Sequence, residues 1–347
     1  MHALTTYYFD TKSSTFRTKT IQKSLGPNDL LIMTTHSGLC ATDVHAKAKE
    51  CGLGHEGVGF VRAVGQSVTQ FTVNQRVGWG WLHSSCGYCS TCVTGYRQYC
   101  GEARGFAFSD LDQGAFSDNR IIDAAFAYPI PAGIDPTDAA PLMCAGASTF
   151  EALDVAGTKP DDRVGVFGVG GLGHMAILFA KSMGCAVTAI TSKKDKIADA
   201  FRLGADEVRL HDALDTAYLN GDDGTSQHTM AVTQNINVLL ITSNGVQNLE
   251  PFMPLLARRA TIVLMTIQQE ALQVPYMPFV LPGHRLIAST EASRENHIKM
   301  LEFAARHKIK PWIEQFDMTA EGLSHAFNHL ESGNMRYRGV LVRRNLQ

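Results

Sequence analysis

The stretch VGVFGVGGLGHMAI, residues 164–177, decides the fold. An apolar run of β character, Arg163 to Phe167, leads into it, and a run of helical character, His174 to Lys181, leads out. Strand, glycine turn and helix in that order are what a dinucleotide site requires. In G-x-G-x-x-G the first glycine allows the tight turn, the second lets the backbone approach a pyrophosphate, and the third lets helix pack on strand. Free N–H groups then face the anion. Gly168, Gly170 and Gly173 fill these positions, with Gly171 and Leu172 between the last two.

Outward from this turn the chain alternates strand and helix. The pattern predicts a helix over 172–183, a strand in CAVTAIT, a helix over about 193–203, and later strands in ADEVRL, INVLLIT, ATIVLM and RLIAS. Such alternation means a parallel, doubly wound sheet of α/β class, here a Rossmann domain over 146–289. The polar piece 212–235 reads as a surface excursion. Residues 1–35 differ: short β runs with turn signals such as Gly26-Pro27-Asn28-Asp29 predict antiparallel strands. Gly105 to Pro141 is again β-like, and PLMCAGASTFEAL places Cys144 at the mouth of a helix. After the Rossmann segment come two helices, one ending before Pro311 and one around LSHAFNHLESG, and a final β run, RGVLVRR. A β-rich domain built from both chain ends, 1–145 and 290–347, accounts for these pieces.

With 347 residues, 45% hydrophobic and 18% charged, the chain is an ordinary globular protein long enough for two domains. A formal net charge of −2 leaves no basic surplus for nucleic acid or an anionic membrane, so a small-molecule partner is expected. The N-terminal MHALTTYYFDTKSS has no continuous apolar core of a signal peptide, and no apolar run is long enough to span a bilayer, so the sequence reads as cytoplasmic.

Four of the eight cysteines, Cys86, Cys89, Cys92 and Cys100, form a C-x2-C-x2-C-x7-C array. Four thiolates on one loop supply a closed tetrahedral shell, the signature of a structural zinc whose binding energy becomes loop stability. An iron–sulfur cluster or unligated thiols are the alternatives. A second concentration, HSGLCATDVHAKAKECGLGHEGVG, puts Cys40, Thr42, Asp43, His45, His55 and Glu56 within seventeen residues. Cys40, His55 and Cys144 together offer two thiolates and an imidazole, which leaves zinc's fourth position open for chemistry. Cys51 and Cys185 have no such company and read as buried thiols.

These segments in order, G-x-C-x-T-D-x-H, G-H-E-G-V-G, the four-cysteine loop, C-A-G and G-x-G-G-L-G, resemble the zinc-dependent medium-chain alcohol dehydrogenases from about residue 20 to 345. Within that family the chain is most similar to bacterial and fungal primary alcohol dehydrogenases and to cinnamyl alcohol dehydrogenase-like aldehyde reductases. The resemblance implies a GroES-like catalytic domain beside the Rossmann domain, two zincs per chain, and a homo-oligomer, dimer or tetramer, joined through the Rossmann sheet. It implies catalytic zinc on Cys40, His55 and Cys144, with Glu56 as an alternate ligand and Asp43 orienting His55. Thr42 is implied to take the alcohol proton and hand it through the cofactor ribose to His45. Arg338 is implied to meet the pyrophosphate and Ser148 the nicotinamide. The chain departs from the family pattern between His45 and His55, where only nine residues stand and Leu53 replaces the usual proline before G-H-E.

Cofactor choice reads from the end of the second Rossmann strand. An NAD site wants a carboxylate about 20 residues past the glycines. Ser192, Lys193 and Lys194 stand there instead, a hydroxyl and two ammonium groups suited to the 2′-phosphate of NADP(H). Trp79, Trp81 and Leu82 precede the zinc loop where the family lines its pocket, which favours an aromatic or medium-sized apolar aldehyde. The expected activity is NADP(H)-linked aldehyde reduction. The rival readings are reduction of an activated C=C or C=N bond, and a non-catalytic zinc- and nucleotide-binding relative.

Overall fold

The computed structural model describes residues 1–214, 218–220, 226–228 and 235–344. The chain falls into two compact units, one formed by Met1–Ala147 with Glu291–Gln347 and the other by Ser148–Thr290.

In the second unit Arg163–Phe167 is the central strand. It pairs in parallel with Ala186–Thr191 on one side and Ile236–Ile241 on the other. Glu207–Leu210 continues the first side; Leu256–Leu264 and then Arg285–Ala288 continue the second, all parallel. In chain order these six run 3-2-1-4-5-6, the order of the doubly wound dinucleotide fold. Val164, Val166, Val187, Ala189, Leu239 and Ile262 are withdrawn from solvent, because a sheet covered on both faces reads as continuous apolar runs rather than alternating ones. Two short antiparallel strands, Tyr218–Asn220 and Ser226–His228, extend the Glu207–Leu210 edge. Most of the rest of the excursion expected over 212–235 lies outside the described residues.

The first unit is built on a seven-stranded sheet to which both chain ends contribute. Asp29–Leu39 lies between Glu56–Val64 and Arg338–Val342, antiparallel to both, so that Gly38 faces Glu56 and Leu39 faces Gly339. A hairpin of His2–Asp10 and Thr15–Lys23 opens the chain. The two expected C-terminal helices are Arg294–His307 and Ala320–Glu331. Among the described residues no helix is long and apolar enough to cross a membrane.

Two expectations need correction. The helix placed over 193–203 begins as a tighter turn, Lys194–Lys196, and is α-helical only from Ile197 to Leu203. More consequentially, Cys144 is not at the mouth of a helix. Helix Pro136–Pro141 starts earlier, with Asp135 Oδ1 accepting from the Thr137 N–H (3.2 Å) and Pro136 at its first position. The helical path continues in π spacing over Leu142–Gly146 and returns to α spacing over Ala147–Val155. Pro141 carries no N–H and crowds the preceding turn, so the following turn widens. Cys144 sits inside that widened turn.

Candidate active site

In the second unit the three glycine positions have three different constraints. Gly168 has φ +100°, and a Cβ there would meet Ser243 Cβ at 2.7 Å. A Cβ on Gly173 would overlap the Gly168 carbonyl oxygen, so close packing of helix Gly171–Ser182 on the strand excludes any side chain. Around a Cβ at Gly170 there is nothing within 4 Å. Gly170 is also the N-cap of that helix and lends it no side-chain acceptor. Open space in front of an uncapped helix start is a cradle for an anion, and it fits a dinucleotide pyrophosphate. Gly171 and Leu172 form the helix's first turn, half-buried. Ser192, Lys193 and Lys194 are exposed directly after strand Ala186–Thr191, whose Ile190 pairs with Phe167 just before the glycine turn. Ser148 opens the unit and is 4% exposed.

In the first unit the four loop cysteines converge, with one ligand atom from each within 4.8 Å of all the others. Cys86 Sγ stands 3.9 Å from Cys92 Sγ and 3.6 Å from Cys100 Sγ. A disulfide needs about 2.05 Å, whereas a tetrahedron of sulfurs about 2.3 Å from a central ion has edges of about 3.8 Å. The Cys89 N–H donates to Cys86 Sγ (3.4 Å), and those of Cys86 and Glu102 donate to Cys100 Sγ (3.5 and 3.3 Å).

A second group gathers Cys40, His55, Glu56 and Cys144, again within 4.8 Å of one another. Cys40 directly follows strand Asp29–Leu39 and is the N-cap of helix Ala41–Ala46. Asp43, fully buried, accepts from the Cys40 N–H (2.9 Å) and from the Gly54 N–H (3.0 Å), and its Oδ1 stands 3.2 Å from His55 Nδ1. One carboxylate therefore fixes the helix start, the turn before His55 and the imidazole itself, leaving His55 Nε2 as the nitrogen for a ligand. The Cys40 thiol is held well below its ordinary value, first by its hydrogen bond with Cys144 and then by Arg338 and His55 nearby. A donor set of two sulfurs and an imidazole, one sulfur already poised as thiolate, fits zinc.

Glu56 lies behind this set. Its Oε1 accepts from Arg338 Nη2, and its Oε2 is buried with no hydrogen-bond partner among the described residues. Burial pushes the Glu56 carboxyl up to about 7, against the pull of Arg338. A Cβ on Gly38, opposite Glu56 in the sheet, would overlap Glu56 Oε2, so glycine there leaves the carboxylate its place. Arg338, 4% exposed, thus has Glu56 as its partner. Thr42 Oγ1 is 3.8 Å from Cys40 Sγ, and His45, one turn further along the same helix, is exposed.

Trp79 and Leu82 pack in the apolar core of this unit, 1% and 7% exposed. Trp81 is half-buried, donates its indole N–H to the Phe106 carbonyl (3.1 Å) and meets Phe108 edge-on at 5.9 Å. The short segment before His55 is pinned by the N-terminal hairpin and by the loop before Phe116: the Leu53 N–H donates to Tyr7 O (2.8 Å), the Gly52 N–H to Leu111 O (3.0 Å).

Residues 26–132 match the alcohol dehydrogenase GroES-like domain and residues 171–306 the zinc-binding dehydrogenase family. Cinnamyl alcohol dehydrogenase 8 of Arabidopsis thaliana is 30% identical over 341 residues, covering 92% of this chain and 89% of that protein. The chain belongs to the zinc-type medium-chain alcohol dehydrogenases. An alcohol dehydrogenase of Geobacillus stearothermophilus is also 30% identical, over 321 residues, covering 90% of this chain and 91% of its own. A cinnamyl alcohol dehydrogenase structure from Sorghum bicolor superposes with a TM-score of 0.86 at 27% identity, covering 98% of each chain. Alcohol–aldehyde oxidoreduction with a zinc ion and a nicotinamide cofactor is the chemistry of this family.

Several residues around the site gave no signal in the sequence. Gly80 touches the Met143 carbonyl so closely that a Cβ would stand 2.6 Å from it. Glu291, whose carboxyl burial pushes up to about 8, and His297 flank the same point, with Glu291 Oε1 3.7 Å and His297 Cε1 3.5 Å from that Cβ position. Neither belongs to a linear motif. Only the fold brings them to the Cys144 turn.

Proposed function

We propose that this chain is a zinc- and NADP(H)-dependent alcohol dehydrogenase working as an aldehyde reductase. The observation that carries the reading is the gathering of Cys40, His55, Glu56 and Cys144 ligand atoms within 4.8 Å, with Asp43 fixed on His55. In this reading Cys40, His55 and Cys144 hold the catalytic ion, Glu56 is the alternate ligand, and Cys86, Cys89, Cys92 and Cys100 hold a second, structural zinc. When bound, zinc supplies a Lewis acid for the substrate oxygen and the nicotinamide carries the hydride.

The chain's own residues supply position and proton traffic. Asp43 fixes the His55 tautomer and ring plane. Thr42 Oγ1 exchanges the substrate hydroxyl proton, and His45, on the same helix face at i+3 and exposed, passes it to water. Arg338 neutralises Glu56, so the metal set does not face an uncompensated buried carboxylate. In the other unit, Gly168, Gly170, Gly171, Leu172 and Gly173 receive the pyrophosphate and Ser148 meets the nicotinamide. Ser192, Lys193 and Lys194 favour the 2′-phosphate, since ammonium groups attract it and a carboxylate there would repel it. Trp81, half-buried, is the aromatic wall that favours aromatic or medium-sized apolar aldehydes.

The test is a set of initial rates with NADPH and with NADH against benzaldehyde, cinnamaldehyde, medium-chain alkanals and an enone. NADPH-linked reduction of aldehyde carbonyls, at least tenfold above NADH in kcat/KM, supports the reading. Reduction confined to the C=C bond of the enone, or NADH preference, contradicts it.

A further inference from the structure

The widened turn that carries Cys144 leaves one backbone group without its helical partner. In α spacing the Ala147 N–H would donate to the Met143 carbonyl. It donates instead to the carbonyls of Leu142 and Cys144. The Met143 carbonyl, one residue before the thiol, is met by His297 Nε2 at 3.2 Å. A carbonyl only accepts, so Nε2 carries the proton, and Nδ1 is the bare nitrogen, buried and without a hydrogen-bond partner among the described residues. Burial holds the imidazole neutral, its pKa pushed down to about 3. Gly80 lies against the same carbonyl, which a Cβ there would approach to 2.6 Å.

His297 itself is held from behind. Its ring stacks on Tyr128 at 4.1 Å and 12° between planes. The Tyr128 hydroxyl accepts from Arg97 Nη2 (2.9 Å), while Arg97 Nη1 donates to the Ala125 carbonyl (2.7 Å) and its guanidinium lies 4.0 Å over Phe126. Arg97 stands between Cys92 and Cys100 in the four-cysteine loop. Arg97, Tyr128 and His297 are all buried.

We propose that His297 is a positioning residue for Cys144, holding the Met143 carbonyl so that the thiol stays in the Cys40–His55 set, and that Tyr128 braced by Arg97 makes this hold depend on the four-cysteine loop. The proposal rests on Cys40, His55 and Cys144 being a metal site. The widened turn has lost a helical hydrogen bond beside the ligand, and the imidazole N–H replaces it; removing that donor frees the turn to shift and carries Cys144 away from the other donors.

The test uses the full chain with zinc in the four-cysteine loop and cobalt(II) at the Cys144 set, read by the visible bands of cobalt and by its release to a chelator. His297→Phe keeps the stacking ring and removes the donor; it is expected to change the cobalt bands and speed release about tenfold or more, with the loop zinc retained. His297→Gln, which returns an N–H to the place of Nε2, is expected to bring both readouts back toward wild type. Wild-type bands and release in His297→Phe would overturn the proposal. If His297→Phe does not fold, Tyr128→Phe decides: it keeps the ring and removes only the hydroxyl that Arg97 meets. Faster cobalt release then supports the brace, and wild-type release overturns it. A chain that takes up no cobalt at the Cys144 set fails the metal reading instead, so the two failures are distinct.

Discussion

Asp43 Oδ1 stands 3.2 Å from His55 Nδ1, and both side chains are buried. The same carboxylate receives two backbone N–H groups, one from Cys40 and one from Gly54. Asp43→Asn keeps the shape and loses the charge. We expect zinc at the Cys40–His55–Cys144 set to weaken by 10- to 100-fold, on the order found when outer partners of metal-binding histidines are removed. Competition with a zinc chelator measures it, and the four-cysteine zinc serves as the internal control. Equal affinity in the variant would remove Asp43 from the account.

Gly170→Ala and Gly173→Ala separate binding from packing. A methyl group on Gly170 enters open space, so the variant is expected to fold with a near wild-type Tm and lose dinucleotide affinity at least tenfold. On Gly173 it overlaps the Gly168 carbonyl, and the expected result is a chain that unfolds at markedly lower temperature or fails to fold. Thermal melts and NADPH fluorescence titrations read the two effects. Identical behaviour of the two variants would contradict this division of roles.

Lys193→Glu places a carboxylate where the 2′-phosphate is proposed to sit. Its KM for NADPH is expected to rise about tenfold or more while that for NADH falls or holds, since one repelling charge costs about 1–3 kcal/mol at a partly exposed site. Parallel increases for both cofactors would mean that Lys193 does not read the phosphate.

His83 gives a pH dependence with a definite sign. It lies between Asp110 Oδ2 (2.7 Å) and Arg120 Nη2 (2.8 Å), and burial with the Arg120 charge pushes its pKa down to about 4, partly offset by Asp110. The unfolded chain binds this proton below about 6.5 while the folded chain does not until about 4. Stability is therefore lost as pH falls through that window, by a few kcal/mol in total. His83→Asn is expected to flatten this part of the acid limb in melts between pH 7 and pH 4. An unchanged slope would show that other groups dominate it.

Among the described residues strand Arg285–Ala288 is an unpaired edge of the Rossmann sheet, and Tyr276, Met277 and Leu281 beside it in sequence are 77%, 57% and 68% exposed. An exposed edge next to exposed apolar side chains suits pairing with a second copy. Tyr276→Glu with Leu281→Glu is expected to convert an oligomer to monomer in sedimentation velocity. A wild-type chain that sediments as a monomer would contradict the oligomer.

What could be read from sequence follows how far apart the partners lie. The glycine turn and the four-cysteine loop were legible because each places all its parts within about fifteen residues, where spacing carries geometry. Cys40, Asp43 and His55 were legible for the same reason, while Cys144 lies far along the chain and was grouped with them for its ligand chemistry rather than its spacing. The pairing of Arg338 with Glu56 spans 282 residues and that of His297 with Met143 spans 154. No local pattern encodes such contacts, which depend on both chain ends entering one sheet. The widened turn at Cys144 was missed although its cause, Pro141 inside a helix begun at Asp135, was present in the sequence.

The most direct test of the whole account is zinc content per chain, measured for wild type and Cys144→Ala alongside NADPH-linked aldehyde reduction. The account predicts two zincs in wild type, one in the variant, and loss of reduction together with the missing ion. One zinc in the wild type, or aldehyde reduction indifferent to Cys144, would contradict it.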